Sequence, residues 1–321
     1  MRRALAFVLA ILFCLPASAT GPGERVQFAF HSHFLLNLHH FLFDNATLGK
    51  FGPRAEWQAV TDPFERAGLE QAAAYYRNTY ARSDVFDPDM DRVKLALSRA
   101  PDAQRSVAGL ALPPALAGAL ERAAPLYART IWPIHDSANR RWIRQARALD
   151  AVFGQQLKTG IEGHLHRTFP ASPARVDVVF HTGEHSGAYT SDDDPMQTIM
   201  PSARTDYQGL AALEMLYHEG AHMRVNGAVI DAINASLAAA GRAPNRALWH
   251  AVHCYTVGET VKSVLKARGV DYTPYADQAG IYQRGSFKTS APLLAIWRRH
   301  MTREISFQDA IDGMTAALPP P

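Results

Sequence analysis

The residues best equipped for chemistry in this 321-residue chain are His218, Glu219 and His222, within Leu216-Tyr217-His218-Glu219-Gly220-Ala221-His222. Two histidines at i and i+4 leave a helix on one face, close enough to share a Zn²⁺ ion, and the glutamate between them reaches a water there. In that role Glu219 takes a proton from a water acidified by the metal and returns it to a leaving amine once the carbonyl has been attacked. The expected reaction is hydrolysis of a peptide bond. A catalytic zinc needs three protein ligands and one open position, so a third ligand must come from outside the motif. Asp231 stands close by in sequence, and His250 and His253 follow later. A donor for the developing oxyanion is also required, for which Tyr255, Tyr282, Tyr275 and His253 are the candidates.

The elements that must position these groups are mostly helical. Leu210, Leu213, Tyr217 and Ala221 repeat at helical spacing, with Thr205 or Asp206 as the cap and Asn226-Gly227 as the stop, giving a helix of about five turns around the motif. Glu214, one turn before His218, is expected to orient an imidazole. Before it, Arg175 to Phe180 and Met196 to Met200 read as strands. The strand next to the motif helix is expected to form a sheet edge on which an extended peptide lies. Between them runs a loop in which Asp192, Asp193 and Asp194 read as a solvated turn. Helices are expected after the motif at Ala228 to Ala240, from Arg246 to about Ala267 behind Asn245, and around Ala291 to Met301.

Upstream, Val26 to Phe43 reads as one buried helix carrying His31, His33, His39 and His40, more simply packing histidines than site residues. Asp62-Pro63 and Asp87-Pro88 each pair a capping residue with a proline in the first turn, predicting helices to about Tyr80 and Ala100. A longer helical region runs from Pro114 to Phe169. Within it Trp132, His135, Asn139 and Trp142 form a stripe that reads as a buried hydrogen-bonded pair between aromatics. The expected fold class is therefore mainly α (α+β), with a helical region over 20–172 packed on a metal-binding region over 173–321 that holds a small sheet.

Composition bounds the rest. Hydrophobic residues at 47% and charged residues at 20% support a sizeable core. A net charge of +3 without a clustered basic run excludes a nucleic-acid surface. Arg2 and Arg3, an apolar run from Ala4 to Leu15, and Ala17-Ser18-Ala19 read as a signal peptide over 1–19, cleaved after Ala19. The run is too short to span a bilayer, so no stable membrane insertion is expected once it is removed. The protein is then periplasmic or secreted, with Cys254 as the one cysteine left after cleavage and no internal disulfide.

With its preceding strand, its capped helix and small residues Gly220 and Ala221 inside the motif, the segment resembles the zincin metallopeptidases. A metzincin would carry Gly and His where this chain has Val225 and Ala228. The gluzincin pattern instead draws its third ligand from a glutamate on a later helix. The resemblance, covering about Val176 to Lys262, thus implies Glu259 as the ligand, with Gly258 beside it permitting close helix approach. Arg224 stands where thermolysin-like motifs carry an apolar residue. The resemblance implies a Zn²⁺ cofactor and a peptide or protein substrate. Two other readings of the same residues are a non-enzymatic exported binding or scaffold protein with a structural zinc site, and a zinc amidase acting on a non-peptide amide such as one in a cell wall.

Overall fold

The structure is a computed structural model that describes residues 25–47, 55–58, 60–183, 187–191 and 195–319. The expected signal peptide over 1–19 and Asp192, Asp193 and Asp194 lie outside the described residues. The protein is mainly helical with one small sheet. In chain order its principal elements are β1 (Phe28–His31), α1 (Phe34–Thr47), α2 (Pro63–Tyr80), α3 (Pro88–Ser98), α4 (Pro114–Leu126), α5 (Trp132–Leu165), β2 (Ala174–Val179), β3 (Tyr189–Ser191), β4 (Gln197–Pro201), α6 (Leu210–His222), α7 (Gly227–Ala239), α8 (Arg246–Lys266), α9 (Leu294–Met301) and α10 (Phe307–Ala317).

The chain divides into two compact units. One holds Phe28–Gln145 and Ala174–Gln208; the other holds 25–27, Ala146–Pro173 and 209–319. All four strands fall in the first unit, together with α1 to α4. The grouping expected over 173–321, of a sheet with the motif helix, is therefore not how the chain divides.

In the first unit the strand order is β1-β2-β4-β3, with β1–β2 and β2–β4 parallel and β3–β4 antiparallel. β4, the strand preceding α6, has a partner on each side and is buried throughout, so it is not a peptide-accepting edge. The segment expected as one helix from Val26 starts instead as β1. Phe28, Phe30 and the β-carbon alternation suit a strand, and Ala29 and Phe30 register with Arg175 and Val176. Helix α2 starts where the sequence places it, Asp62 accepting from the Glu65 N–H at 2.9 Å with Pro63 in the first turn. Pro133 has no amide to offer the carbonyl one turn back, and the chain over Tyr127–Ile131 widens into a π-helical turn between α4 and α5.

The histidines singled out in this unit each meet a partner. His33 Nε2 bonds the Ala100 carbonyl at 2.8 Å, His39 Nδ1 meets the Tyr76 hydroxyl at 2.8 Å, His40 Nε2 the Tyr189 hydroxyl at 3.2 Å, and His135 Nδ1 the Tyr127 hydroxyl at 2.9 Å. His31 pairs with Asp102 at 3.0 Å. The Trp132 to Trp142 stripe is buried, as its pattern implies. Asn139 donates to Ser32 and Asn37 and accepts from Ser202, while the Trp142 indole donates to the Tyr207 carbonyl.

In the second unit α6 and α8 pack together, and α9 and α10 close the far side of α8 and α7. The Trp297 indole of α9 donates to Thr256 of α8 at 2.8 Å. Gly258 allows a close approach: a β-carbon there would stand 2.8 Å from Pro274 Cβ and 3.2 Å from Glu214 Oε1. α10 begins with a capping box between Ser306 and Asp309, a signal present in the sequence as Ser-x-x-Asp.

Candidate metal centre

Helix α6 is shorter than its pattern suggests. It begins at Leu210 behind Gly209, whose φ of 59° only glycine adopts readily, and ends at His222 itself. Thr205 and Asp206 lie ahead of it as turn residues. The helix is fixed from behind by Tyr217, fully buried, whose hydroxyl donates to Asp150 at 2.7 Å and reaches the Gly154 carbonyl at 3.0 Å. Asp150 in turn meets Arg25 at 3.2 Å. One residue later and about 100° round the helix, His218 faces the other way.

His218 and His222 bring their Nε2 atoms to 3.3 Å of each other. His253, on α8, completes the group: the ligand atoms of His218, His222 and His253 all lie within 4.8 Å of one another. A backbone bond defines the tautomer of His253. Its Nε2 lies 3.0 Å from the His218 carbonyl, which can only accept, so Nε2 carries the hydrogen and Nδ1 carries a bare lone pair. That Nδ1 is buried with no hydrogen-bond partner. An orphaned imidazole lone pair beside two converging histidines is the donor set a divalent transition metal takes. Asn226 Nδ2, itself buried, lies 3.1 Å from His222 Nδ1 just beyond the C-terminal end of the helix. The sequence marks Asn226 only as a helix stop; its place beside His222 comes from the turn after α6, in which Arg224 stands at φ 69° and the Asn226 N–H donates to the Ala221 carbonyl at 3.1 Å.

Burial dominates the electrostatics. It holds His218 and His222 well below the ordinary imidazole range, with the neighbouring histidines adding to the effect. It pushes His253 down to about 3 and His250 to about 4. All four rings are therefore neutral near pH 7, the form in which imidazole binds metal. Glu219 is buried, and its carboxylate lies 3.9 Å from His218 Nε2. It stands beside the converging nitrogens.

Glu259, expected as the third ligand, is not part of this group. Its carboxylate pairs with Lys262 at 3.0 and 3.3 Å. The reason is helical phase: Glu259 is six residues beyond His253, which turns it about 120° away from the side of α8 that meets α6. Tyr255 lies four residues before Glu259, on the same averted side. With Tyr282 it lines a cavity of about 550 Å³ whose other walls include Asp277, Leu294 and Arg298, but none of the clustered histidines. Glu214 does not orient an imidazole; both its oxygens accept from the Tyr275 N–H, at 3.1 and 2.9 Å. Asp231 is exposed and pairs with Arg167 at 3.5 Å.

Comparison with family models, with curated proteins and with solved structures finds no match to this chain.

Proposed function

We propose that the chain is an exported zinc-dependent hydrolase, most simply a peptidase, in which His218, His222 and His253 hold the metal and Glu219 acts as general base. The observation that carries this reading is the convergence of three neutral histidines with a buried glutamate at their side. When bound, Zn²⁺ supplies Lewis acidity, lowering the pKa of water towards ~7 and polarising a carbonyl. The chain's own groups do the rest. The His253 bond to the His218 carbonyl presets a lone pair at Nδ1; Asn226 Nδ2 faces His222 Nδ1, so ligation through His222 Nε2 requires the Asn226 amide to turn and accept the Nδ1 hydrogen with its oxygen. Glu219 takes the proton of the attacking water and delivers it to the leaving amine. The likeness to zincins then lies in the motif helix and a later helix that supplies the third ligand, here a histidine in place of a glutamate.

Three histidines leave one tetrahedral position open, the arrangement of catalytic rather than structural zinc. The competing reading, a structural site closed by four side chains, draws on His250, whose ring lies 5.2 Å from that of His222. A degenerate peptide library assayed with wild type and Glu219→Gln at matched zinc content separates the two. The hydrolase reading expects Glu219→Gln to keep its zinc and lose about 10²- to 10⁴-fold in turnover. Wild type that binds zinc but cleaves neither peptides nor cell-wall amides, or a Glu219→Gln variant as active as wild type, overturns it.

A further inference from the structure

The histidine group is not the full extent of ligating chemistry at this place. His218, His250 and Cys254 form a second set whose ligand atoms also lie within 4.8 Å of one another. His250 and Cys254 are four residues apart on α8, one turn along the same side that carries His253. His250 Nε2 is buried without a hydrogen-bond partner, as is Nδ1 of His253. Cys254 is a free thiol. Two sets thus meet at one imidazole: His218 with two nitrogens, or His218 with one nitrogen and one sulfur.

We propose that His218, His250 and Cys254 constitute an alternative metal site at this centre, selective for thiophilic cations, and that its occupation excludes the three-histidine set. The inference rests on reading His218 as a metal ligand. A tetrahedral cation accepts four ligands and the two sets together offer five, so a single ion cannot take both sets whole. Hardness decides the choice. Zn²⁺ is satisfied by imidazoles with water in the fourth position, whereas a softer ion such as Cd²⁺ gains most from sulfur. Binding at Cys254 breaks the S–H bond, forms the metal–sulfur bond and releases one proton to solvent, with no change of oxidation state. A cation seated there draws His218 away from His222 and His253, so soft metals act on this protein as inhibitors that relocate the centre rather than as replacements within it.

Cadmium titration of the full, metal-free chain tests this by the thiolate-to-cadmium absorption band in the ultraviolet. Wild type is expected to develop the band, Cys254→Ser and His218→Ala to lose it, and His222→Ala and His253→Ala to keep it. The ¹¹³Cd chemical shift of the wild-type complex reads a sulfur ligand without any substitution, so a variant that fails to fold leaves the test intact. Cadmium binding with no thiolate band and a nitrogen-only shift overturns the alternative site while leaving the three-histidine reading standing. Loss of the band in His222→Ala and His253→Ala as well as in Cys254→Ser shows a single mixed shell and overturns the exclusion. A wild type that binds neither zinc nor cadmium overturns both.

Discussion

His253 carries more of the account than either motif histidine, because its role follows from hydrogen bonding and not from a pattern. A ring whose Nε2 is committed to a carbonyl has one lone pair left, and here that lone pair is buried beside two other imidazoles. Glu214 shows the same logic with the opposite charge. Burial raises its carboxyl from 4.5 to about 7, against the lowering effect of the Tyr275 N–H. An acid whose folded value is raised stabilises the fold fully below the unfolded value and loses that contribution as pH rises through the folded one. The contribution of Glu214 alone should therefore fall by about 3 kcal/mol between pH 4.5 and 7, opposing the gain from the buried histidines over the same range, so Glu214→Gln should make stability rise more steeply with pH in urea titrations. An unchanged slope in the variant assigns the pH dependence elsewhere. At this scale the sequence reveals His218, Glu219 and His222 directly, since their spacing is local. It leaves the third ligand among several because helical phase on a distant helix decides it.

Helices α6 and α8 are held at short range by what Gly258 lacks. A β-carbon there meets Pro274 at 2.8 Å and the Glu214 carboxylate at 3.2 Å, so Gly258→Ala should cost about 1–3 kcal/mol in unfolding free energy. A neutral substitution would show that the two segments give way. Asp62 offers a cleaner case, one side-chain bond to the Glu65 N–H at the start of α2, and Asp62→Ala should lose about 1 kcal/mol by the same measurement. Capped helices are the elements the sequence renders best, since a polar cap followed by proline acts within a few residues. Helix α6 begins several residues later than its capping candidates because Gly209, at positive φ, turns the chain after Asp206. β1 was absorbed into the following helix for a related reason. Its pairing partner, β2, lies far along the chain, and a four-residue strand has too short a pattern to announce itself.

On the scale of the whole chain, the sheet belongs to the unit that lacks the histidine cluster, although its last strand is the neighbour in sequence of the motif helix. No local pattern shows this, because strand order is set by pairings between distant segments. β1 pairs with β2 across more than a hundred residues, and that parallel pairing needs a long connection. Among the described residues no helix is long and apolar enough to cross a membrane. The sequence reading of the leader makes its own prediction: expressed in a secreting host, the mature protein should begin at Thr20 by intact-mass measurement. A retained Met1 would contradict export by that route. The central claim, that three histidines form the metal centre, rests on His253 and is tested by zinc stoichiometry after reconstitution and dialysis. Wild type and Glu259→Ala should each retain one zinc per chain, whereas His253→Ala should lose it; retention by His253→Ala with loss from Glu259→Ala would contradict the account.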